Sequence, residues 1–213
     1  VDPEIASFLA AEVKKLIDNG CQVVMIVGGG NMVRGAEIAG HGIRRVTGDQ
    51  MGMLSGLINC MAMTDIFEAN NVPTRCLSNL FAQQVAESYS YRLAEKHLQK
   101  NRVVIVAGGT ARPYVTHDTA GVSFALELDC EIVLKATKFD GVYDKDPAKF
   151  DDAVKLDKVS FQEAVSNEAI QVMDKAALGL AMEQSKPIAV FNVMKPDNLA
   201  KIVAGEDVGT IIS

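Results

Sequence analysis

Over the first twenty positions, Ile5, Phe8, Leu9, Val13, Leu16 and Ile17 recur at helical spacing between charged residues, which predicts an amphipathic helix. Asp2 stands at the N-cap, Pro3 in the first turn and Glu4 near the positive end of the dipole, and Asn19-Gly20 closes the element. Cys21 to Val27 then forms a continuous apolar run rich in β-branched residues, which predicts a strand covered on both faces. The run ends in Gly28-Gly29-Gly30-Asn31. The alternation repeats along the chain. Gly48 to Ala69 reads as a long helix with Met51, Leu54, Leu57, Ile58 and Met61 on one stripe, a pattern more often core than interface. Thr74 to Ser78 reads as a strand, Tyr91 to Leu98 as a helix, Arg102 to Ala107 as a buried strand, Thr119 to Leu128 as a helix and Glu131 to Ala136 as a third strand. Helices follow around Phe161 to Val165 and from Asp174 to Gln184, then a strand from Ile188 to Asn192 and a helix from Pro196 to Val203. Gly209 to Ser213 is expected as a short edge strand.

Apolar strands separated by amphipathic helices predict an α/β fold, a three-layer sandwich with a mostly parallel sheet and helices on both faces. With 213 residues, 48% of them hydrophobic, and no low-complexity tract or long linker, the chain reads as one domain, 1–213. A membrane helix needs about 18 consecutive apolar residues, and the longest runs are strand-sized. A formal charge of −6 excludes polyanion binding by bulk charge, so no nucleic-acid partner and no membrane partner is expected. Cys21, Cys60, Cys76 and Cys130 are scattered with no CxxC pair and read as buried thiols of a cytoplasmic protein.

In parallel sheets ligands bind beyond the carboxyl ends of the strands, so the exit loops carry the chemistry. The loop from Gly28 to Gly35 combines glycines, which let backbone approach an anion, with Arg34, which can fork onto phosphate oxygens. It matches neither the P-loop nor the dinucleotide fingerprint, and a tight strand-to-helix turn explains it equally well. The loop from Gly108 to Asp118 gathers Thr110, Arg112, Tyr114, Thr116, His117 and Asp118, with Asp118 placed to cap the next helix. Its hydroxyls and N–H groups suit a phosphate or a base edge; an irregular capped loop is the plainer alternative. From Lys135 to Pro147, Lys135 and Lys138 leave a buried strand and an Asp140-Gly141 turn presents Tyr143 and Asp146. Here a ring can lie on a base and a carboxylate accept from a ribose hydroxyl, against the alternative of a solvated hairpin with paired charges.

In order along the chain, GGGNMVRG (28–35), GDQMGM (48–53), SYSYR (88–92), the loop 110–118, KATKFDGVYDKDP (135–147), VMD (172–174) and VFN (190–192) resemble the bacterial uridylate kinases, the UMP kinase branch of the amino-acid kinase superfamily. The resemblance implies the amino-acid kinase fold and transfer of the ATP γ-phosphoryl group to UMP, with Mg²⁺ carried on ATP. It implies UMP binding by Gly29, Asp49, Thr110, Ala111, Arg112, Pro113, Tyr114, Val115, Thr116 and His117, with Asp49 on the ribose. ATP binding is implied for Gly30, Arg34, Thr137, Tyr143 and Asp146, and catalytic roles for Arg34, Lys135 and Asp118. It further implies a homohexamer with GTP activation and UTP inhibition.

Two departures from the family pattern bear on activity. Ala111, Arg112 and His117 stand where the family has Gly, Asn and Thr, which puts uracil contacts more at issue than the fold. The family also begins with a strand ending in Lys-Leu-Ser-Gly-Glu-like residues that contact the ATP phosphates. This sequence starts at the following helix, so the expectation is an N-terminally incomplete domain, short of about 15 to 25 residues, with weak or no turnover. A catalytically impaired nucleotide-binding homologue and an amino-acid kinase acting on a carboxylate are the rival readings.

Overall fold

Asp2 caps the first helix, its carboxylate accepting from the N–H groups of Glu4 and Ile5, and α1 runs Pro3–Asp18 with Asn19 closing it. The computed structural model describes residues 1–39, 42–168, 170 and 172–213, and they fall into two compact units, Val1–Ala120 and Gly121–Ser213.

In the first unit β1 (Val24–Ile26) leads through a loop to the short α2 (Gly35–Ile38) and then to α3 (Arg45–Ala69). After these come β2 (Thr74–Ser78), β3 (Glu87–Ser88), α4 (Tyr91–Leu98), β4 (Val103–Ala107) and α5 (His117–Glu127), whose last residues belong to the second unit. The sheet has the order β1-β4-β2-β3, with every pair parallel. All five residues of β4 are fully buried. Because successive side chains in a strand point to opposite faces, β4 is covered on both. β1 is not covered in this way. It is shorter than the expected Cys21–Val27 and half-buried, because it lies at one end of the sheet order.

The stripe read on α3 needs correction as well. Leu57 is buried, but it shares the core with Met53, Cys60, Met63 and Phe67, whereas Leu54 and Ile58 are more than half exposed and Met51 and Met61 are exposed too. The helix is apolar around most of its girth, so periodicity did not single out the buried face. Among the cysteines only Cys60 is fully buried; Cys21, Cys76 and Cys130 are partly exposed.

The second unit holds β5 (Val133–Thr137), the short strands β6 (Val142–Tyr143), β7 (Lys155–Leu156) and β8 (Lys158–Val159), α6 (Phe161–Ser166), α7 (Lys175–Glu183), β9 (Ile188–Asn192), α8 (Asn198–Val203) and β10 (Thr210–Ile212). Its main sheet runs β5-β9-β10-β8, with β9 and β10 antiparallel and the other pairs parallel. β10 therefore corrects the expected edge strand: it is an interior strand, completed by β8, which is two residues long and carries no readable pattern. β6 and β7 form an antiparallel pair that sequence reading took for loop. Ile188, Val190, Ile212, Leu178, Val122 and Phe161 centre the core.

Thr210, fully buried, joins the two sheets of this unit. Its Oγ1 accepts from Val142 N–H at 2.8 Å and donates to Leu156 O. Thr210→Val keeps the shape but leaves the Val142 donor unpaired, a cost of about 1–3 kcal/mol. We expect a correspondingly lower denaturant midpoint with an unchanged m-value, measured by urea unfolding followed by circular dichroism.

Candidate active site

The glycine loop after β1 is pressed onto the side of α3. A Cβ on Gly29 would overlap Ser55 Oγ and lie 2.5 Å from both Gly52 O and Gly56 N, so only glycine fits. Ser55 Oγ lies within hydrogen-bonding distance of Gly29 O (3.1 Å) and Gly52 O (2.9 Å), and Asn59 Nδ2 donates to Gly28 O (2.8 Å) and Asn31 Oδ1 (2.7 Å). Ser55 and Asn59 are buried and one helical turn apart. They escaped sequence reading; the available signal was two polar residues among the apolar positions of α3. Arg34 Nε donates to Gly30 O at 3.1 Å, while its guanidinium stands largely in solvent, 3.7 Å from Glu37.

Asp49, in the first turns of α3, ties this region to the second loop. Its Oδ1 accepts from Arg45 Nε at 2.7 Å, and its Oδ2 from the backbone N–H of Tyr114 at 2.9 Å. The Arg45 guanidinium lies 5.3 Å from the centre of the Tyr114 ring. A Cβ on Gly35 would meet Asp49 Oδ1 at 2.5 Å and Asp49 N at 2.6 Å, which lets α2 lie directly on the carboxylate. Burial pushes the Asp49 pKa up, but the Tyr114 N–H and the Arg45 guanidinium outweigh it and hold the carboxyl below its ordinary value.

The loop itself carries strain. Ala111 and Tyr114 have φ of +55° and +66°, so Ala111 occupies the left-handed conformation for which glycine is the easier residue. Asn79 Nδ2 supports the loop by donating to Gly109 O at 2.7 Å. Thr110 Oγ1 is buried and has no hydrogen-bond partner among the described residues, which leaves a polar atom for a ligand to satisfy. Arg112, Tyr114 and Val115 are exposed, Pro113 half-buried. The cap of α5 is Thr116 rather than the expected Asp118: Thr116 Oγ1 accepts from Asp118 and Thr119 N–H at 3.1 and 3.3 Å, because the helix starts two residues earlier than read. Asp118 lies in its first turn. His117 sits where the two loops meet. A Cβ on Gly28 would be 3.4 Å from its Nδ1, and one on Gly109 would be 3.7 Å from its Nε2.

The remaining expected residues lie in the second unit. Lys135 is half-buried in β5, and Thr137 ends that strand opposite Asn192. Thr137 Oγ1 folds the exit by donating to Phe139 O (2.7 Å) and accepting from Phe139 N (3.1 Å). Asn192 Nδ2 donates to Lys138 O and Asp140 Oδ1, both at 3.0 Å, and Lys195 Nζ reaches Asp140 Oδ2 at 2.7 Å. The Lys195 ammonium, with Asn192, holds the Asp140 carboxyl below its ordinary range. Tyr143 is half-buried in β6. Asp146 Oδ1 accepts from Ala148 N–H at 3.0 Å and its Oδ2 pairs with Lys149 at 3.1 Å, contacts that also lower its pKa. Lys145 pairs with Asp152, so the mixed charges along this segment do pair, as its plainer reading supposed. Lys195 was not foreseen.

Among the described residues, no group of three His, Cys, Asp or Glu side chains is placed to hold a metal ion, and no helix is long and apolar enough to cross a membrane.

The profile of the amino acid kinase family matches residues 2–192. The chain belongs to that family. Among its relatives is the uridylate kinase of Sulfurovum sp. (strain NBC37-1), 45% identical over 97% of this chain and 88% of the relative. The UMP kinase of Bacillus anthracis has a similar structure, with a TM-score of 0.94 at 33% identity over 100% of this chain and 88% of that one. The UMP kinase of Ureaplasma parvum gives 0.89 at 30% identity, covering 98% and 88% of the two chains. This amino acid kinase thus has the expected mixed α/β fold with a parallel sheet.

Gly29→Ala forces the loop off α3 and is expected to lower stability by about 1–3 kcal/mol, read by urea unfolding. Because the Asp49 pKa is depressed, its contribution is complete above the ordinary Asp value of about 3.9 and is lost as pH falls through its own lower value. An NMR titration should therefore hold the Tyr114 amide shift constant from neutral pH down to about pH 4 and move it only below.

Proposed function

We propose that this chain is an ATP-dependent UMP kinase that transfers the γ-phosphoryl group of MgATP to UMP, giving UDP and ADP. The observation that carries the reading is the joining of the Gly28–Arg34 loop, Asp49 and the 108–118 loop around α3, since these are the elements assigned to the acceptor. In this reading Gly29, Asp49 and residues 110–117 bind UMP, with Asp49 on the ribose and Thr110 Oγ1 satisfied by the nucleotide. Gly30, Arg34, Thr137, Tyr143 and Asp146 bind ATP. The profile match across both units supports treating 1–213 as one amino-acid kinase domain.

The chemistry asks little covalent work of the protein. The second ionisation of a phosphate monoester falls near pH 6, so the attacking UMP oxygen is already anionic at neutral pH and no general base is required. That oxygen forms the new bond to the γ-phosphorus as the bond to the ADP oxygen breaks. Mg²⁺ arrives with ATP as part of the substrate and offsets charge on its phosphates. Arg34 and Lys135 stabilise negative charge on the transferred group, and Asp118 orients the phosphate-binding groups. The reading extends to a cytoplasmic homohexamer activated by GTP and inhibited by UTP. The exposed Leu54 and Ile58 on α3 support an assembly surface.

The test is ADP release with UMP, CMP, glutamate or aspartate as acceptor. Whatever turnover the chain sustains is expected with UMP and none with the amino acids; turnover on glutamate or aspartate would overturn the reading. Arg34→Met should lower kcat by about 10²-fold, the scale of removing one donor to transition-state charge.

A further inference from the structure

Arg45 has no part in the sequence reading, yet it closes a ring of contacts in the acceptor region. Its Nε pairs with Asp49 Oδ1 at 2.7 Å, Asp49 Oδ2 accepts from Tyr114 N–H at 2.9 Å, and the Tyr114 ring returns to within 5.3 Å of the Arg45 guanidinium. Helix stability does not account for an arginine at this position. Arg45 is the first residue of α3, the N-cap Arg44 makes no side-chain capping bond, and the first turn holds no acidic residue. A cation there opposes the helix dipole. An ordinary i,i+4 surface pair also contributes little, but the Asp49 side chain is only 13% exposed and serves the loop as well as the arginine.

We propose that Arg45 is a positioning residue for the acceptor nucleotide, acting through Asp49 and Tyr114. An ionised carboxylate offers about four acceptor sites, and two are taken by Arg45 and Tyr114 N–H. The others can receive sugar hydroxyls while the carboxylate still holds the loop. Arg45 fixes the orientation of that carboxylate, and its flat guanidinium holds the Tyr114 ring, which is otherwise two-thirds exposed. A loop with left-handed Ala111 and Tyr114 needs such outside support. Charge, planarity and stacking are all used, so lysine replaces arginine only in part.

The proposal rests on Asp49 and the 110–117 loop being the UMP site. It is tested by calorimetric titration of the 213-residue chain, separately with UMP and with ATP, for wild type, Arg45→Met, Arg45→Lys and Asp49→Asn. Arg45→Met should weaken UMP binding about tenfold and leave ATP binding within about twofold, with Arg45→Lys in between. Tyr114→Leu should weaken UMP binding too, and its effect should not add to that of Arg45→Met, because both open the same ring. If Asp49→Asn weakens UMP binding but Arg45→Met does not, the Arg45 proposal fails and the site reading stands. If Arg45→Met weakens ATP and UMP alike, its role is general stability and the proposal also fails. If Asp49→Asn leaves UMP binding unchanged, or the wild type does not bind UMP, the site reading itself fails.

Discussion

The first unit depends on how closely the backbone at Gly29 lies against α3. No side chain fits between them, and the contact is backbone against backbone at Gly52 and Gly56, clamped by Ser55 and Asn59. A helix is a stiff rod with a rise of about 1.5 Å per residue, so Asp49 stands only about 5–10 Å along the axis from the Gly52–Gly56 contact. Pinning the glycine loop there therefore sets where Asp49 stands. Asp49 in turn holds Tyr114, and with it a loop whose own backbone is strained. One steric fact at Gly29 thus propagates along a rigid element to Asp49 and the strained 111–114 loop.

The parts of this arrangement carried by local pattern were legible in the sequence. β2, α4 and β9 fall on the expected residues, because their apolar runs end at clear turn and cap signals. Ala111 stands where the family has Gly, and its left-handed backbone shows why glycine is the easier residue there. What escaped reading depends on distant partners. Ser55 and Asn59 are unremarked polar residues until the loop they clamp is folded against them. β10 became interior only because β8, two residues long, pairs with its far side, and a two-residue strand has no periodicity to detect. The solvent-facing apolar positions of α3 defeat a pattern argument for the opposite reason, since both faces look alike.

The loops of the second unit are held differently. Their ion pairs are mostly exposed, and such pairs contribute little to stability. Positioning comes from polar groups anchored in the sheets instead: buried Thr210 bridging β6 and β7 to β10, and Asn192 at the end of β9 gripping the Lys138 carbonyl and Asp140. This explains how a segment that reads as a solvated charged hairpin still presents Thr137, Tyr143 and Asp146 from fixed backbone. Surface charges are free to vary in such a design, while the hydroxyl of Thr210 and the amide of Asn192 are not.

The electrostatics of the carboxylates bear on the chemistry. Asp49, Asp140 and Asp146 all titrate below the ordinary carboxylate range, each because N–H groups or cations favour its charged form. A carboxylate in that condition is a weak base at neutral pH and a good acceptor. Transfer to a phosphate oxygen needs no proton removed, only donor and acceptor held in line and charge offset as it moves. Carboxylates held in their ionised form by N–H groups and cations, as Asp49, Asp140 and Asp146 are, suit the transfer proposed for this chain.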